Sequence, residues 1–221
     1  MAFLQDISVI AFDCDGVMFD STEVNRSYYN QLLEAFDLPL MDDAAFHYVH
    51  MHTAEGAIRH LFEGRVPLEA VREKQRAFHY PDLFPLMREE PHLRALLRFL
   101  KPKFRTAVAT NRSNTLRPLL DHFDLTTYFD LLVTSLDVPR PKPWPDMLEA
   151  IVRRFGVRPE NLLYIGDSPL DAQAAAAAGC VFVGYGPEDL GASLHIRRLD
   201  VVATWLEGGG EGEGKPPSFF R

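Results

Sequence analysis

Two short apolar runs, each followed at once by aspartates, constrain the fold of this chain more than any other feature. The runs lie at 7–12 and 162–165, and their Ile, Leu and Val content is typical of strands buried in parallel sheets. The aspartates behind them are Asp13 and Asp15, then Asp167 and Asp171. Carboxylates gathered where buried strands end repel each other, by about 4 kcal/mol per close pair at an effective dielectric constant of 20, unless a cation or a proton intervenes. The pattern therefore predicts a site for a hard divalent cation.

Further apolar runs extend this pattern to a whole sheet. They lie at 105–109, 131–134 and 181–184. Helical patterns at 146–155 and 171–178 alternate with the runs, and the second of these is mostly alanine and is followed by Gly179, a typical left-handed helix end. Such alternation predicts an α/β fold with a doubly wound, mostly parallel sheet of five or more strands.

The interval between Asp13 and Thr110 is too long for one strand–helix–strand unit, which needs only about 30 residues. Helical patterns fill most of this interval, and they cover 22–36, 42–51, 54–63 and 67–79. We therefore expect a helical cap domain at 20–88, inserted into an α/β catalytic core made of 1–19 and 89–207. The Gly-rich end at 208–221 is expected to be a flexible tail.

Charge and composition argue against several classes of partner. The chain has a formal net charge of −8 and no stripe of Lys and Arg, which argues against binding of nucleic acid. No apolar run approaches membrane-spanning length, so no membrane partner is expected. Cys14 and Cys180 lie far apart and are interpreted as reduced thiols of a cytoplasmic protein. The sequence leaves the oligomeric state open.

Two more polar segments follow predicted strands. Thr110-Asn111 ends the run at 105–109, and Lys142 lies between two prolines beyond the run at 131–134. Open α/β sheets bind their ligands at these strand ends. In order, in spacing and in the position of the helical insert, these segments and the two acidic clusters resemble the four motifs of the haloacid dehalogenase-like hydrolase superfamily. The resemblance covers nearly the whole chain and is to the branch with a helical cap, near the phosphoglycolate phosphatase group.

The resemblance implies catalytic roles for two aspartates. Asp13 is expected to attack phosphorus and to become an aspartyl phosphate. Asp15 is expected to protonate the leaving alkoxide and then to take a proton from water, which calls for a pKa raised by nearby negative charge. Thr110 and Lys142 complete the expected catalytic set, since a hydroxyl donor and a compact positive charge would stabilise the transferred group.

The resemblance also implies a Mg²⁺ site and a phosphate site. The expected metal ligands are the carboxylates of Asp13 and Asp167 and the backbone carbonyl of Asp15. Asp171 is expected to act through water or to orient Lys142, although it could instead only cap the helix at 171–178. The residues expected to bind the phosphoryl group are Gly16, Thr110, Asn111 and Lys142. Gly16 would let the backbone approach the phosphate, but an ordinary turn glycine would look the same.

The leading functional prediction is a Mg²⁺-dependent phosphatase that hydrolyses a small phosphorylated metabolite. A sugar phosphomutase of the β-phosphoglucomutase type is the alternative, because Gly16-Val17 also occurs in that group. A non-catalytic binding module is a third interpretation, and the presence of Asp13 and Asp15 argues against it. Dehalogenation is not expected, since members that perform it lack the carboxylates found here at Asp15 and Asp167.

The cap residues that set specificity are not identified by the sequence. Polarity alone singles out Asn25, Tyr29 and Arg65. Arg59 and Arg65 could bind a substrate carboxylate, but surface arginines are common and an ordinary surface role is the favoured interpretation. A metal site made of His47, His50 and His52 is not expected, because their spacing cannot place all three on one helix face and no Cys or carboxylate completes a set. These three histidines are interpreted as residues of the cap surface or of the cap core.

Overall fold

A computed structural model describes residues 2–187, 190–192 and 194–207. Within these ranges a six-stranded, wholly parallel sheet has the order β5-β4-β1-β6-β7-β8, and a separate ladder of two strands pairs β2 with β3. The strands are β1 (Val9–Phe12), β2 (Phe19–Asp20), β3 (Arg88–Glu89), β4 (Arg105–Ala109), β5 (Leu131–Val133), β6 (Leu162–Gly166), β7 (Val181–Tyr185) and β8 (Leu194–Ile196). The predicted doubly wound α/β fold is confirmed.

Helices of the core cover both faces of the sheet. Ile10 and Phe12 of β1 face one hydrophobic core, whereas Val9 and Ala11 face the other, as the two-residue repeat of a strand requires. The first core is closed by α5 (Leu93–Leu100), α6 (Leu116–His122) and α9 (Asp200–Leu206), and the second by α7 (Asp146–Phe155) and α8 (Pro169–Ala178). All four residues of β1 are fully buried, so its carboxyl end is fixed by packing on both faces.

Helix α8 begins two residues before the predicted start at 171. The Ser168 hydroxyl accepts a hydrogen bond from the Asp171 N–H, and the Asp171 carboxylate accepts one from the Ser168 N–H, which is a capping box around Pro169. At the other end Gly179 has φ 72°, so the predicted left-handed end of the helix is confirmed. The capping box at the start of α8 fixes where Asp171 lies relative to β6.

The insert has a hydrophobic core of its own. Its helices are α1 (Thr22–Glu34), α2 (Asp43–Met51), α3 (Ala54–Phe62) and α4 (Leu68–Ala77), and the 3₁₀ helix Tyr80–Leu86 follows them. Leu32, Leu33, Ile58 and Phe62 are buried in this third core, which is distinct from the two against the sheet. The β2–β3 ladder pairs Phe19 with Glu89, at the two points where the chain enters and leaves the insert. The predicted domain boundaries lie in this ladder.

Three strands differ from the sequence-based expectations, and one predicted segment is not tested. β2, β3 and β8 were not predicted, because two or three residues are too short to show a strand period. The predicted tail at 208–221 lies outside the described residues. Among the residues that the structure describes, none of the helices has the length and apolar character needed to cross a membrane.

Candidate active site

The predicted catalytic residues lie together at the carboxyl edge of the sheet. β1, β4 and β6 are adjacent strands, so Asp13, Thr110 and Asp167, which follow them, open into one cavity of about 850 Å³. The opposite wall of that cavity comes from the cap. The sheet topology therefore gathers residues that are 57 to 154 positions apart in sequence, as expected at the strand ends of an open α/β sheet.

Lys142 lies beneath the cavity, buried among three polar partners. Its Nζ is 2.9 Å from Asp13 Oδ1, 2.6 Å from Asp171 Oδ1 and 2.9 Å from the Tyr164 hydroxyl oxygen. Burial alone would lower the pKa of Lys142, but the charges of Asp13 and Asp171 outweigh it and hold that pKa above its ordinary value. Lys142 is therefore a fixed positive charge next to Asp13.

Asp171 has both of its predicted roles. Oδ1 accepts from Lys142 and lies 2.6 Å from the Tyr164 hydroxyl, and Oδ2 accepts from the Ser168 N–H at 3.0 Å and hydroxyl at 2.5 Å. Orientation of Lys142 and capping of α8 are thus combined in one carboxylate. Gly166 makes room for it, since a Cβ at that position would lie 2.4 Å from the Asp171 Cβ.

Asp13 and Asp167 are short of positive charge. Burial raises the pKa of Asp13 to about 7 although Lys142 opposes the shift, and burial together with Asp13 raises the pKa of Asp167 well above its usual range. Oxygen atoms of Asp13, Asp167 and Asp171 lie within 4.8 Å of one another. Because the oxygens of Asp171 already have donors, the other two carboxylates are the pair that fits a hard divalent cation.

Gly16 is placed against this pair. Its φ is +81°, a conformation that side chains disfavour, and a Cβ there would lie 1.8 Å from Asp167 Oδ2. The turn glycine is therefore required for a close approach as well as for backbone conformation. The group approached in this structure is the Asp167 carboxylate.

The environment of Asp15 differs from the expectation. Arg112 donates to its two oxygens, from Nε at 3.0 Å and from Nη2 at 2.5 Å, and the Ser21 hydroxyl donates to Oδ1 as well. Burial raises the pKa of Asp15, but the Arg112 charge and hydrogen bonds outweigh burial, so the pKa is below its ordinary value. The predicted upward shift is wrong for this structure, because the sequence did not reveal the guanidinium partner.

The segment after β4 joins the core to the cap. The Thr110 hydroxyl oxygen accepts from the Arg112 N–H at 3.1 Å, which leaves its own proton for another acceptor. Asn111 Nδ2 donates to the backbone oxygen of Lys142 and to that of Met51 in the cap, each at 3.1 Å. Within the described part of the chain, Asn111 Oδ1 is buried without a partner. The side chain of Asn111 thus links the segment after β4 to Met51 of the insert, whereas Asn111 had been predicted only as a residue that binds the phosphoryl group.

The cap wall contains some of the residues singled out by polarity. Asn25 and Tyr29 line the cavity. Arg65 is exposed outside it, and Arg59 pairs with Glu55 and Glu63 on the cap surface. Neither arginine is placed to bind a substrate in the cavity.

His50 and Tyr80 of this wall were not predicted as site residues. Asn25 Nδ2 lies 3.2 Å from His50 Nδ1, and the Tyr80 hydroxyl donates to Asn25 Oδ1 at 2.7 Å. His52 stacks on the Tyr48 ring at 3.8 Å between centroids. Among the described residues, the cluster suited to a metal consists of aspartates, and it contains none of the cap histidines.

A comparison with protein families matches residues 7–179 to the haloacid dehalogenase-like hydrolases. The chain belongs to this family. The matched segment includes all four motifs, so the resemblance inferred from them is confirmed.

Curated relatives of this haloacid dehalogenase-like hydrolase share most of its length. A phosphoglycolate phosphatase of Escherichia coli K12 is 30% identical over 90% of this chain and 89% of the relative. A phosphoglycolate phosphatase of Salmonella choleraesuis is 30% identical with the same coverage. The family and these relatives confirm the predicted enzyme class, a phosphoric monoester hydrolase.

Solved structures share the fold over most of the chain. A hydrolase of the same superfamily, subfamily IA, variant 1, from Geobacter sulfurreducens is 32% identical with a TM-score of 0.74, over 91% of this chain and 97% of that one. CbbY from Rhodobacter sphaeroides, solved with phosphate, has a TM-score of 0.77 at 21% identity, over 87% of this chain and 95% of CbbY. The second likeness shows a common fold alone.

Proposed function

We propose that this hydrolase is a Mg²⁺-dependent phosphatase that acts on a small phosphomonoester such as 2-phosphoglycolate. The observation that carries the proposal is the position of Asp13. Its carboxylate opens into the cavity at a strand end, with Lys142 Nζ 2.9 Å away on one side and Asp167 nearby on the other. A nucleophile for an anionic phosphoryl group needs a cationic side chain and metal ligands beside it.

The chain's own residues support a two-step displacement. In the first step an Asp13 oxygen forms a bond to phosphorus as the ester P–O bond breaks, and Asp15 gives a proton to the leaving alkoxide. This role requires Asp15 to be protonated when substrate is bound, so its pKa must then lie above the lowered value that Arg112 sets in this structure. In the second step Asp15 takes a proton from water, the water oxygen bonds to phosphorus, and the Asp13–phosphorus bond breaks to release phosphate. Lys142 and the Thr110 hydroxyl would stabilise the transferred group from the core side.

The proposed metal is held by the residues expected from the motifs. The carboxylates of Asp13 and Asp167 and the backbone carbonyl of Asp15 would be the protein ligands, and waters would complete the shell, as Mg²⁺ prefers. When bound, Mg²⁺ would neutralise charge on the carboxylates and on the phosphoryl oxygens. The raised pKa values of Asp13 and Asp167 support this assignment, because both carboxylates lack enough positive charge without a cation.

The size and location of the substrate are also part of the proposal. The relatives named phosphoglycolate phosphatase, which match this chain over 89% of their own length, support 2-phosphoglycolate as the first candidate. A helical cap at 20–88 over a core of 1–19 and 89–207 would enclose a small metabolite and exclude water. The two described cysteines are free thiols, which supports the cytoplasm as the compartment.

Release of phosphate from a panel of phosphorylated metabolites tests the proposal. The panel is 2-phosphoglycolate, hexose phosphates, nucleoside monophosphates, pyrophosphate and an aryl phosphate, each measured with Mg²⁺ and with a chelator. We expect Mg²⁺-dependent release, with 2-phosphoglycolate giving the highest kcat/KM. Isomerisation of a hexose phosphate without release would instead identify a phosphomutase. Absence of turnover on the whole panel would contradict catalysis.

A further inference from the structure

One charged residue of the cavity has no role in the chemistry described so far. Two cationic side chains are buried among the described residues, Lys142 and Arg112. Lys142 is turned toward Asp13 and Asp171 at the sheet edge, whereas Arg112 lines the cavity on the side of the cap. Arg112 is 9% exposed, so its guanidinium is held in place by its neighbours.

The hydrogen bonds of Arg112 leave it able to bind a ligand. Nε and Nη2 donate to Asp15, and Nη1 donates to the Thr115 hydroxyl at 3.2 Å. A guanidinium carries five N–H groups, and these contacts use three of them. The Tyr80 hydroxyl also lies within reach of Arg112. At least one N–H therefore stays available on a side chain that forms part of the cavity wall.

The charge around Arg112 favours an anionic ligand. Beyond the aspartates, the wall carries Arg76, Arg112 and three histidines, together with Glu55 and three tyrosines. Several of these side chains already have partners, since Arg76 pairs with Glu69, His79 with Asp82, and Glu55 with Arg72 and Arg59. Arg112 is therefore the buried cation on this part of the wall, and a ligand anion would complement its free N–H.

The distance from Arg112 to Asp15 limits the kind of anion. Asp15 must reach the ester oxygen of the substrate to protonate the leaving group, and Arg112 contacts the same carboxylate at 2.5 and 3.0 Å. A ligand group bound by Arg112 is therefore separated from the ester oxygen by about the width of the Asp15 carboxylate. A carboxylate on the carbon that bears this oxygen fits the distance, whereas a phosphate at the far end of a sugar does not.

We propose that Arg112 is a specificity-determining residue that binds a carboxylate attached to the carbon bearing the phosphate ester. The substrates are then phosphorylated α-hydroxy acids. The proposal rests on the phosphatase function proposed above and names the side chain by which that site selects among phosphomonoesters. It also gives a physical reason for an arginine, since a planar guanidinium can bind Asp15 along one edge and a second carboxylate along another.

The test compares 2-phosphoglycolate with its amide, 2-phosphoglycolamide, which has the same size and no carboxylate charge. The intact enzyme is expected to prefer the acid by about 10- to 100-fold in kcat/KM, as for loss of one charge-assisted contact. Arg112→Gln should bring this ratio close to one, and Arg112→Lys should retain part of it. A ratio is used because loss of Arg112 also disturbs Asp15, which would slow both substrates alike.

Two control variants locate the effect. Arg140→Gln removes an arginine that pairs with Asp146 and does not line the cavity, so the ratio should be unchanged. Arg76→Gln removes an exposed arginine that does line it. Collapse of the ratio in Arg76→Gln with retention in Arg112→Gln would overturn the assignment to Arg112.

A measurement on the unmodified enzyme decides the matter if the Arg112 variants do not fold. In 3-phosphooxypropanoate one more methylene separates the carboxylate from the ester oxygen, and we expect kcat/KM at least about 10-fold below that for 2-phosphoglycolate. Equal rates for these two acids, or equal rates for the acid and the amide, would overturn the proposal. Hydrolysis of an aryl phosphate in the same experiment would show that the phosphatase function stands on its own, and its absence would end both proposals.

Discussion

Asp13 and Asp15 lie two residues apart at the end of one strand, yet they have opposite environments. Asp13 belongs to the sheet edge, with Lys142 and Asp167, where burial raises its pKa to about 7. Asp15 faces the cap, where Arg112 and Ser21 donate to it and hold its pKa below the ordinary value against the effect of burial. The loop after β1 thus carries one carboxylate, Asp13, that is short of positive charge and another, Asp15, that is paired with a guanidinium.

The two regions differ because they are built differently. The sheet edge is made by backbone topology, since adjacent parallel strands bring their carboxyl ends together whatever the cap does. The cap-facing region depends on side-chain contacts between residues far apart in the chain, such as Asn111 to the Met51 carbonyl of the cap and Arg112 to Asp15 within the core. We therefore expect changes at the sheet edge to affect catalysis and metal binding most, and changes near the cap to have smaller or more selective effects.

The largest effect is expected from Asp13→Asn. The amide is a poor nucleophile, so kcat for any substrate should fall by at least about 10⁴-fold. Phosphate release with saturating substrate and Mg²⁺ is the measurement. Asp43→Asn is the control, because the Asp43 carboxylate is 97% exposed and pairs with Arg26 on the cap surface. Activity of Asp13→Asn within about 10-fold of the unmodified enzyme would contradict the assigned nucleophile.

A smaller loss of rate, joined by a loss of stability, is expected from Lys142→Met. Removal of the ammonium leaves Asp13 and Asp171 as buried carboxylates without their cation, which typically costs about 3–5 kcal/mol of unfolding free energy. The transferred phosphoryl group would also lose a stabilising charge, so kcat should fall by about 10²- to 10³-fold. Urea unfolding and steady-state kinetics measure the two effects. A variant with normal kcat but reduced stability would assign Lys142 a purely structural role.

The sequence predicted the sheet edge well and the cap-facing region poorly, and the comparison explains why. Runs such as 7–12 and 162–165 show a strand and its end in consecutive residues, so Asp13 and Asp167 were placed correctly from local pattern. Arg112 directly follows Thr110-Asn111, a signal that could have drawn attention to it. Arg112 and Asp15 are nevertheless 97 positions apart, and their contact depends on how the loop after β4 meets the loop after β1, which no local sequence pattern encodes.

A third prediction concerns Mg²⁺ and pH at the sheet edge. The folded pKa of Asp13, about 7, exceeds its ordinary value of 3.8, so between these values the folded protein binds the proton more tightly than the unfolded chain. Without metal, this residue's contribution to stability therefore falls as pH rises from about 4 to 7. Mg²⁺ needs the deprotonated carboxylate, so it should raise Tm at pH 8 and have little effect at pH 5.

The size of this stabilisation follows from the metal concentration. At a Mg²⁺ concentration of 100 times Kd it amounts to about 2.7 kcal/mol, which for a chain of this length is a rise of several degrees in Tm. Differential scanning fluorimetry at the two pH values, with Ca²⁺-free buffer and a chelator as reference, measures it. Asp167→Asn should abolish the rise, and Asp82→Asn on the exposed 3₁₀ helix should leave it intact. An equal rise at pH 5 and pH 8 would show that the metal does not bind these carboxylates.

The smallest effect is expected from His50 in the cap-facing region. Burial lowers its pKa below the ordinary value of 6.5, although Asp15 and Asp20 oppose the shift. The Tyr80 hydroxyl fixes the orientation of the Asn25 amide, whose Nδ2 then faces His50 Nδ1 at 3.2 Å, so Nδ1 acts as an acceptor and the ring is neutral. Protonation would remove that acceptor.

The direction of the pH effect follows from the lowered pKa of His50. Below pH 6.5 the unfolded chain binds a proton at His50 more readily than the folded protein, so stability present above pH 6.5 is lost as pH falls. We expect His50→Gln to reduce the difference in unfolding free energy between pH 7.5 and pH 5.5 by up to about 1 kcal/mol, with His47→Gln on the exposed face unchanged. Identical pH dependence in His50→Gln and the unmodified protein, measured by urea unfolding, would mean that the contact between Asn25 and His50 does not depend on a neutral ring. The cap-facing region would then owe its order to the Arg112–Asp15 pair and to Asn111, and not to its histidine.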